Sequence, residues 1–95
     1  MTLLELHNDQ KEVSVAPLFK GELGTTSAIQ LQKDGHLAEH ITKTPALLLC
    51  VEGRVTFENE NNQKISLKPG DYVLIETNVK HWLHASEKSQ VLLLK

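Results

Sequence analysis

The chain has 95 residues, of which 40% are hydrophobic and 23% are charged, and its formal net charge at pH 7 is −2. This length fits one domain with a thin core, and we expect such a domain to gain burial by pairing with a second copy as a homodimer. Arg54 is the single arginine and the lysines are dispersed, so no basic stripe is available for phosphates and nucleic-acid binding is not expected.

The first quarter of the chain predicts peripheral elements. Residues 1–11 are interpreted as a short edge strand or a frayed terminus. Pro17 indicates that the segment at 13–15 is an edge strand or an irregular connector, because proline cannot donate a backbone hydrogen bond to a neighbouring strand. Residues 27–32 alternate apolar and polar side chains, which predicts a half-buried strand. We therefore expect one domain over residues 1–95, with the barrel over about 27–95 and residues 1–26 as edge strands or a dimer arm.

The most apolar run is ALLLCV at residues 46–51, which follows Pro45 and ends just before Gly53. Six residues are short for a helix and are typical of a strand covered on both faces. Turn residues separate further extended segments about every 8–12 residues, a spacing that predicts an all-β sandwich or barrel. The other predicted strands lie at residues 36–42, 54–58, 64–68, 72–76, 81–85 and 91–94.

The sequence lacks the segments that would indicate secretion or a membrane span. No apolar run approaches the roughly 20 residues of a membrane span, and the opening residues are too few and too charged for a secretory signal. The single cysteine, Cys50, cannot form an internal disulfide. We expect a cytoplasmic protein with no membrane partner.

Several turn and histidine positions resemble those of a small single-domain cupin. The resemblance covers residues 27–95 and implies a double-stranded β-helix, that is, a jelly-roll barrel. The family's first motif runs from a glycine through His-x-His and a glutamate to a closing glycine, and its second has a Pro-Gly-Asp-type turn, a second turn and a histidine. The matching residues are Gly35, His40, Gly53, Pro69-Gly70-Asp71 and His81, and Asn78 stands where the glycine of the second turn would be.

Other motif positions differ from the family pattern. Metal-dependent cupins hold their ion with three histidines and the glutamate. Here Thr42 replaces the second histidine of the pair and Ala46 replaces the glutamate, while Glu76 and Ala85 depart from the second motif. Two of the four ligand positions are kept, so the resemblance implies either no cofactor or a divalent transition metal held by an altered set.

The candidate site follows from placing these residues on strands. Because residues two apart share a strand face, His40 and Thr42 point together, and a jelly roll brings His40 opposite His81 inside the barrel. Tyr72 is a further candidate for contacting a ligand. His36 lies an even number of residues from His40 and is the candidate third metal ligand, whereas His84 is expected on the opposite face together with Trp82.

Three functions remain open at this point. The first is a small-molecule-binding module whose cavity presents His40, Thr42, Tyr72 and His81, without strong metal-dependent catalysis. The second is an enzyme, either a metal-dependent oxygenase or isomerase using His36, His40 and His81, or a metal-free isomerase with a histidine base. The third is a protein-interaction domain that uses Trp82 and the leucines at 92–94. No catalytic residue is assigned.

Overall fold

The computed structural model describes residues 1–95 and contains nine β-strands and one short 3₁₀ turn, Leu4–Leu6. No helix in it is long and apolar enough to cross a membrane. The all-β prediction is therefore confirmed. The strands are β1 Val13–Lys20, β2 Thr25–Leu31, β3 His36–His40, β4 Ala46–Glu52, β5 Val55–Asn59, β6 Lys64–Leu67, β7 Tyr72–Ile75, β8 His81–Ala85 and β9 Ser89–Leu94.

The strands form two antiparallel sheets that together make a jelly roll. One sheet has five strands in the order β1-β2-β9-β4-β7, and the other has four in the order β3-β8-β5-β6. The last strand, β9, lies between β2 and β4, so the apolar end of the chain is paired on both sides and is not an edge. Strand β1 is an edge strand with a register shift between Pro17 and Phe19, as the proline predicted.

A hydrophobic core of 13 buried residues fills the space between the sheets. Alternation along the strands produces it: Val55 and Phe57 of β5 are buried, while Thr56 and Glu58, which alternate with them, are not. The core residues are Ile29, Leu31, Ala46, Leu48, Cys50, Val55, Phe57, Leu67, Val73, Ile75, Leu83, Ala85 and Val91.

Two burial predictions were wrong. The segment at 27–32 was predicted to be half-buried, but Ala28 and Gln30 are buried as fully as Ile29 and Leu31. The reason is the N-terminal segment, which is tied to the outer face of β2 by the bond from Gln30 Nε2 to Asp9 Oδ1. The run at 46–51 was predicted to be covered on both faces, but only its inward side chains are buried and the outward ones stay partly exposed.

Candidate functional site

The candidate site is built on a pair of histidines that face each other across β3 and β8. His40 and His81 are directly paired in the sheet register, and their rings meet edge to face with centroids 4.1 Å apart. His81 is 2% exposed and His40 is half-buried. Phe57 of β5 stacks on the other side of His81, with a centroid distance of 5.8 Å. The expected meeting of the two imidazoles within the barrel is thus present in the structure.

Each ring is held in one orientation by a backbone carbonyl two residues earlier in the chain. His40 Nδ1 lies 2.9 Å from the carbonyl oxygen of Ala38, and His81 Nδ1 lies 3.2 Å from that of Val79. A carbonyl oxygen only accepts, so Nδ1 carries the proton in each bond, and in the neutral ring Nε2 keeps a free lone pair. The site therefore presents two hydrogen-bond acceptors, or two ligating nitrogens, in a fixed arrangement.

Burial favours the neutral form of His81. Removal of the ring from water lowers its pKa below the usual 6.5, and the neighbouring His40 and Lys95 lower it further, against the opposing bond to the Val79 carbonyl. The same cause, burial, lowers the pKa of His7 in the N-terminal segment. At neutral pH the His81 imidazole is uncharged and acts as an acceptor.

We expect the free energy of unfolding to fall as the pH is lowered below about 6.5. Well above that pH His81 is neutral in both states, whereas below it the unfolded chain binds a proton that folded His81 resists because burial lowers its pKa. The free energy of unfolding therefore falls until the pH passes the lowered pKa, and the loss persists below it. Urea unfolding from about pH 8 to about pH 5 measures this. The variant His81→Gln should show a shallower decline, and the outward-facing His36→Gln is the control. Equal declines in all three proteins would contradict the assignment to His81.

Thr42 lies in the connection after β3 and is 2% exposed. Its hydroxyl Oγ1 is buried and has no hydrogen-bond partner. The Thr42 carbonyl accepts a bond of 2.8 Å from the Asn78 amide, which joins the connection after β3 to the one before β8. An unpartnered buried hydroxyl costs about 1–3 kcal/mol, so this position favours a partner that the chain itself does not supply.

Two sequence-predicted site residues lie elsewhere. Tyr72 is 60% exposed, because β7 directs Val73 and Ile75 into the core and Tyr72 with Leu74 outward. His36 also faces away from the pair. The register of β3 shifts between Leu37 and His40, so these two residues, three apart, both face inward and the even step from His36 to His40 no longer means a shared face. His36 instead pairs with His84, which faces outward with Trp82 as predicted.

The residues at this position do not fit a resident metal ion. No three histidine, cysteine, aspartate or glutamate side chains come together anywhere in the structure in a way that could hold one. A catalytic zinc or iron site normally has three protein ligands, and His40 and His81 supply two. The ligand set His36, His40 and His81 predicted from the sequence is therefore wrong in its geometry.

Sequence reasoning missed the stack of Phe57 on His81. The alternation of side chains along β5 directs Phe57 inward. The two rings come together only because the sheet order places β5 beside β8. The structure has four surface hollows, and none is lined by His40, Thr42 or His81. A ligand that binds these residues therefore needs space that the structure does not contain beside them.

The family model described as "Cupin domain" matches residues 28–94 of this chain. No curated protein matches it in sequence.

Among solved structures, a cupin superfamily protein from Desulfitobacterium hafniense is similar, with 16% identity and a TM-score of 0.85 over 98% of this chain and 84% of that one. A cupin-2 domain containing protein from Shewanella frigidimarina has 17% identity and a TM-score of 0.80, covering 97% and 86%. KdgF from Halomonas sp. has 18% identity and a TM-score of 0.80, covering 93% and 82%. At these identities the likeness shows the fold, and it agrees with the jelly roll described above. Together with the family match, it shows that the chain belongs to the cupin domain family.

Proposed function

We propose that this protein is a small-molecule-binding cupin module that works without a resident metal and holds its ligand with His40, Thr42 and His81. Membership of the cupin family supports a small-molecule-binding or metal-dependent function in general. The donor set separates these two possibilities, because it offers two imidazoles where a metal needs a third protein ligand.

The observations that carry the proposal are the unpartnered buried hydroxyl of Thr42, two residues after His40 in the chain, and the pre-oriented pair of imidazoles. Valine has the same shape as threonine and would avoid the cost of burying the hydroxyl. The His40 and His81 rings are fixed through Nδ1, which leaves Nε2 for an external group. Polar groups that the chain itself leaves unsatisfied are characteristic of ligand sites in apolar surroundings.

The chemistry of these groups points to a neutral ligand that donates hydrogen bonds. Two unprotonated Nε2 atoms accept, and the hydroxyl of Thr42 both donates and accepts. These three residues include no lysine or arginine, which would be the usual direct partner of a carboxylate or phosphate. Lys95 acts on His81 through its charge, which lowers the pKa of that ring. Phe57 supplies an apolar surface beside His81. We propose a small hydroxylated or amine-bearing molecule as the ligand class.

Replacing Thr42 by valine is expected to stabilise the free protein by about 1 kcal/mol, because the unpartnered hydroxyl is removed while the shape is kept. Thr42→Ser, which keeps the hydroxyl and loses a methyl group, should cost about 1 kcal/mol. Urea denaturation of the three proteins measures both changes. A loss of stability of 1 kcal/mol or more in the valine variant would show that the hydroxyl already has a structural partner.

Ligand binding is tested with a panel of monosaccharides, polyols and amino alcohols. The imidazole nitrogen signals of the protein are recorded by long-range ¹H–¹⁵N NMR as each compound is added. At least one compound should shift the Nε2 signals of His40 and His81 in the wild type and not in Thr42→Val. Shifts confined to other histidines, or equal shifts in the valine variant, would overturn the assignment of the site.

We also propose that the protein forms a homodimer in which the two copies bind each other through the outer face of the five-stranded sheet. Two cross-strand rows of apolar side chains lie there, on β9, β4 and β7. Leu74 and Tyr72 at the ends of the rows are 67% and 60% exposed. Neither row contains a charged residue. A two-fold interface brings the same surface of both copies together, and these rows place no like charges against each other. The rows are Leu94-Leu47-Leu74 and Leu92-Leu49-Tyr72.

A further inference from the structure

A row of polar side chains crosses four strands on the outer face of the five-stranded sheet. The register places Ser14 opposite Gln30, Gln30 opposite Gln90, and Gln90 opposite Glu52. The row faces outward, because Val91, the neighbour of Gln90 in β9, belongs to the core. Gln30 and Gln90 are nevertheless 0% and 3% exposed, and Ser14 is also buried. Buried polar side chains need hydrogen-bond partners, so the partners of each atom decide what the row can bind.

The hydrogen bonds of the two glutamines run in one direction and end at an atom without a partner. Gln30 Nε2 donates to Asp9 Oδ1 at 3.1 Å, and Gln90 Nε2 donates to Gln30 Oε1 at 2.7 Å. The direction is fixed, because the Asp9 carboxylate can only accept and therefore turns the Gln30 oxygen toward Gln90. Gln90 Oε1 is buried and accepts no hydrogen bond. The row can therefore take one more donor, which the chain itself does not supply.

Gln90 lines a surface hollow of about 630 Å³ that the N-terminal segment and the end of β4 form together. The register between β4 and β9 shifts just before Glu52, so Val51 is an extra residue in β4, and the side chains of both residues line the hollow. The N-terminal segment contributes Leu3 and Leu4. None of the lining residues is positively charged. The hollow thus combines a carboxylate, an unpartnered amide oxygen and apolar side chains.

We propose that this hollow binds a small primary alkylammonium ion, whose N–H groups donate to Gln90 Oε1 and to the carboxylate of Glu52. A primary ammonium group has three donors and no acceptor, which matches a site that offers acceptors. The bond to Glu52 joins two opposite charges and is therefore the stronger of the two. The alkyl chain packs against Leu3, Leu4 and Val51. The site uses no residue of the proposed ligand site in the barrel and does not depend on it.

A ligand bound at Gln90 Oε1 should also affect the next glutamine in the row. Hydrogen bonds in series polarise one another, so a donor on Gln90 Oε1 strengthens the bond from Gln90 Nε2 to Gln30 Oε1. The side-chain amide protons of Gln90 should therefore shift downfield when the ligand binds, and those of Gln30 should follow. Non-specific binding to the apolar residues of the hollow has no reason to produce this response.

The experiment is a titration of the whole chain at neutral pH, followed by the ¹H–¹⁵N signals of the glutamine side-chain amides. Three probes with the same alkyl chain are compared. They are butylammonium, n-butanol, which lacks the charge, and butyltrimethylammonium, which keeps the charge and lacks the N–H donors. Butylammonium should bind about tenfold more tightly than either of the others. Equal affinity for butylammonium and one of the other two probes, or shifts that leave out Gln90, would overturn the proposal.

Variants of the lining residues provide a second test. Glu52→Gln changes an exposed side chain and should weaken butylammonium binding by about tenfold, because the opposite charge is lost. Glu76→Gln is the matched control, since Glu76 is also exposed and follows β7 at the other end of β4. It should leave the affinity unchanged. Gln90→Met removes the acceptor and should weaken binding as well. An affinity in Glu52→Gln equal to that of the wild type would contradict the site, whether or not Gln90→Met folds.

Discussion

Gly53→Ala is expected to destabilise the fold by about 3–5 kcal/mol, because two costs combine at this position. Gly53 has φ of +88°, a region that glycine adopts freely and other residues enter at a cost. A Cβ there would also collide with Ser89 Oγ and the Lys88 carbonyl oxygen, and would lie 2.7 Å from Ser89 Cα. Ser89 cannot give way easily, since its hydroxyl accepts a bond of 2.9 Å from the Arg54 amide.

Gly70→Ala is the matched control for this prediction. Gly70 has a similar φ of +94°, but no heavy atom lies within 4 Å of the position where its Cβ would stand. Its substitution should therefore cost only the backbone term, about 1–2 kcal/mol. Urea denaturation gives both values. Equal losses for the two variants would show that steric contact with Ser89 does not contribute.

Leu74→Glu is expected to weaken the proposed homodimer by about 100-fold or more, which corresponds to roughly 2.7 kcal/mol. The substitution places an unpaired charge on an apolar face, and a two-fold axis brings in the same charge from the partner. Leu74 is 67% exposed, so the stability of the single chain should change by no more than about 0.5 kcal/mol.

Analytical ultracentrifugation over a range of concentrations measures the association. Leu23→Glu is the matched control, because Leu23 is fully exposed and lies outside the two apolar rows. It should leave the dissociation constant unchanged. A wild-type protein that is monomeric at every concentration, or a dimer that tolerates Leu74→Glu, would contradict the proposed interface.

The fold was predictable because the turn residues and the alternation of apolar and polar side chains are both local features of the sequence. Glycine and proline at Gly53 and in the turn Pro69-Gly70-Asp71 mark strand ends, and alternation assigns the inward residues of β5 correctly. The contact between His40 and His81 followed from the family resemblance, which supplied the long-range pairing that strand-level patterns lack.

The errors have identifiable physical causes. The rule that residues two apart share a strand face fails at a bulge. Because the register shifts after Leu37, His36 and His40 lie on opposite faces although they are four residues apart. Tyr72 belongs to the strand YVLI, where both faces are apolar in sequence, so alternation gives no direction. The register against β4 decides it, because Tyr72 lies opposite the outward-facing Leu49. The covering of Gln30 by Asp9 depends on a contact between residues far apart in sequence.

The remaining question for the site is whether its two imidazoles serve a ligand directly or through a metal. The geometry supports the direct role, because His40 and His81 are the only members of the family's ligand set that this chain retains and no third donor joins them. A metal found in the purified protein must therefore be tested for dependence on His40 and His81.

Elemental analysis of protein grown in metal-supplemented medium, together with its variants, tests this directly. The account predicts that the iron, zinc, nickel and manganese content is the same in the wild type, His40→Ala and His81→Ala. Near one equivalent of metal per chain in the wild type that is lost in His40→Ala or His81→Ala would contradict it.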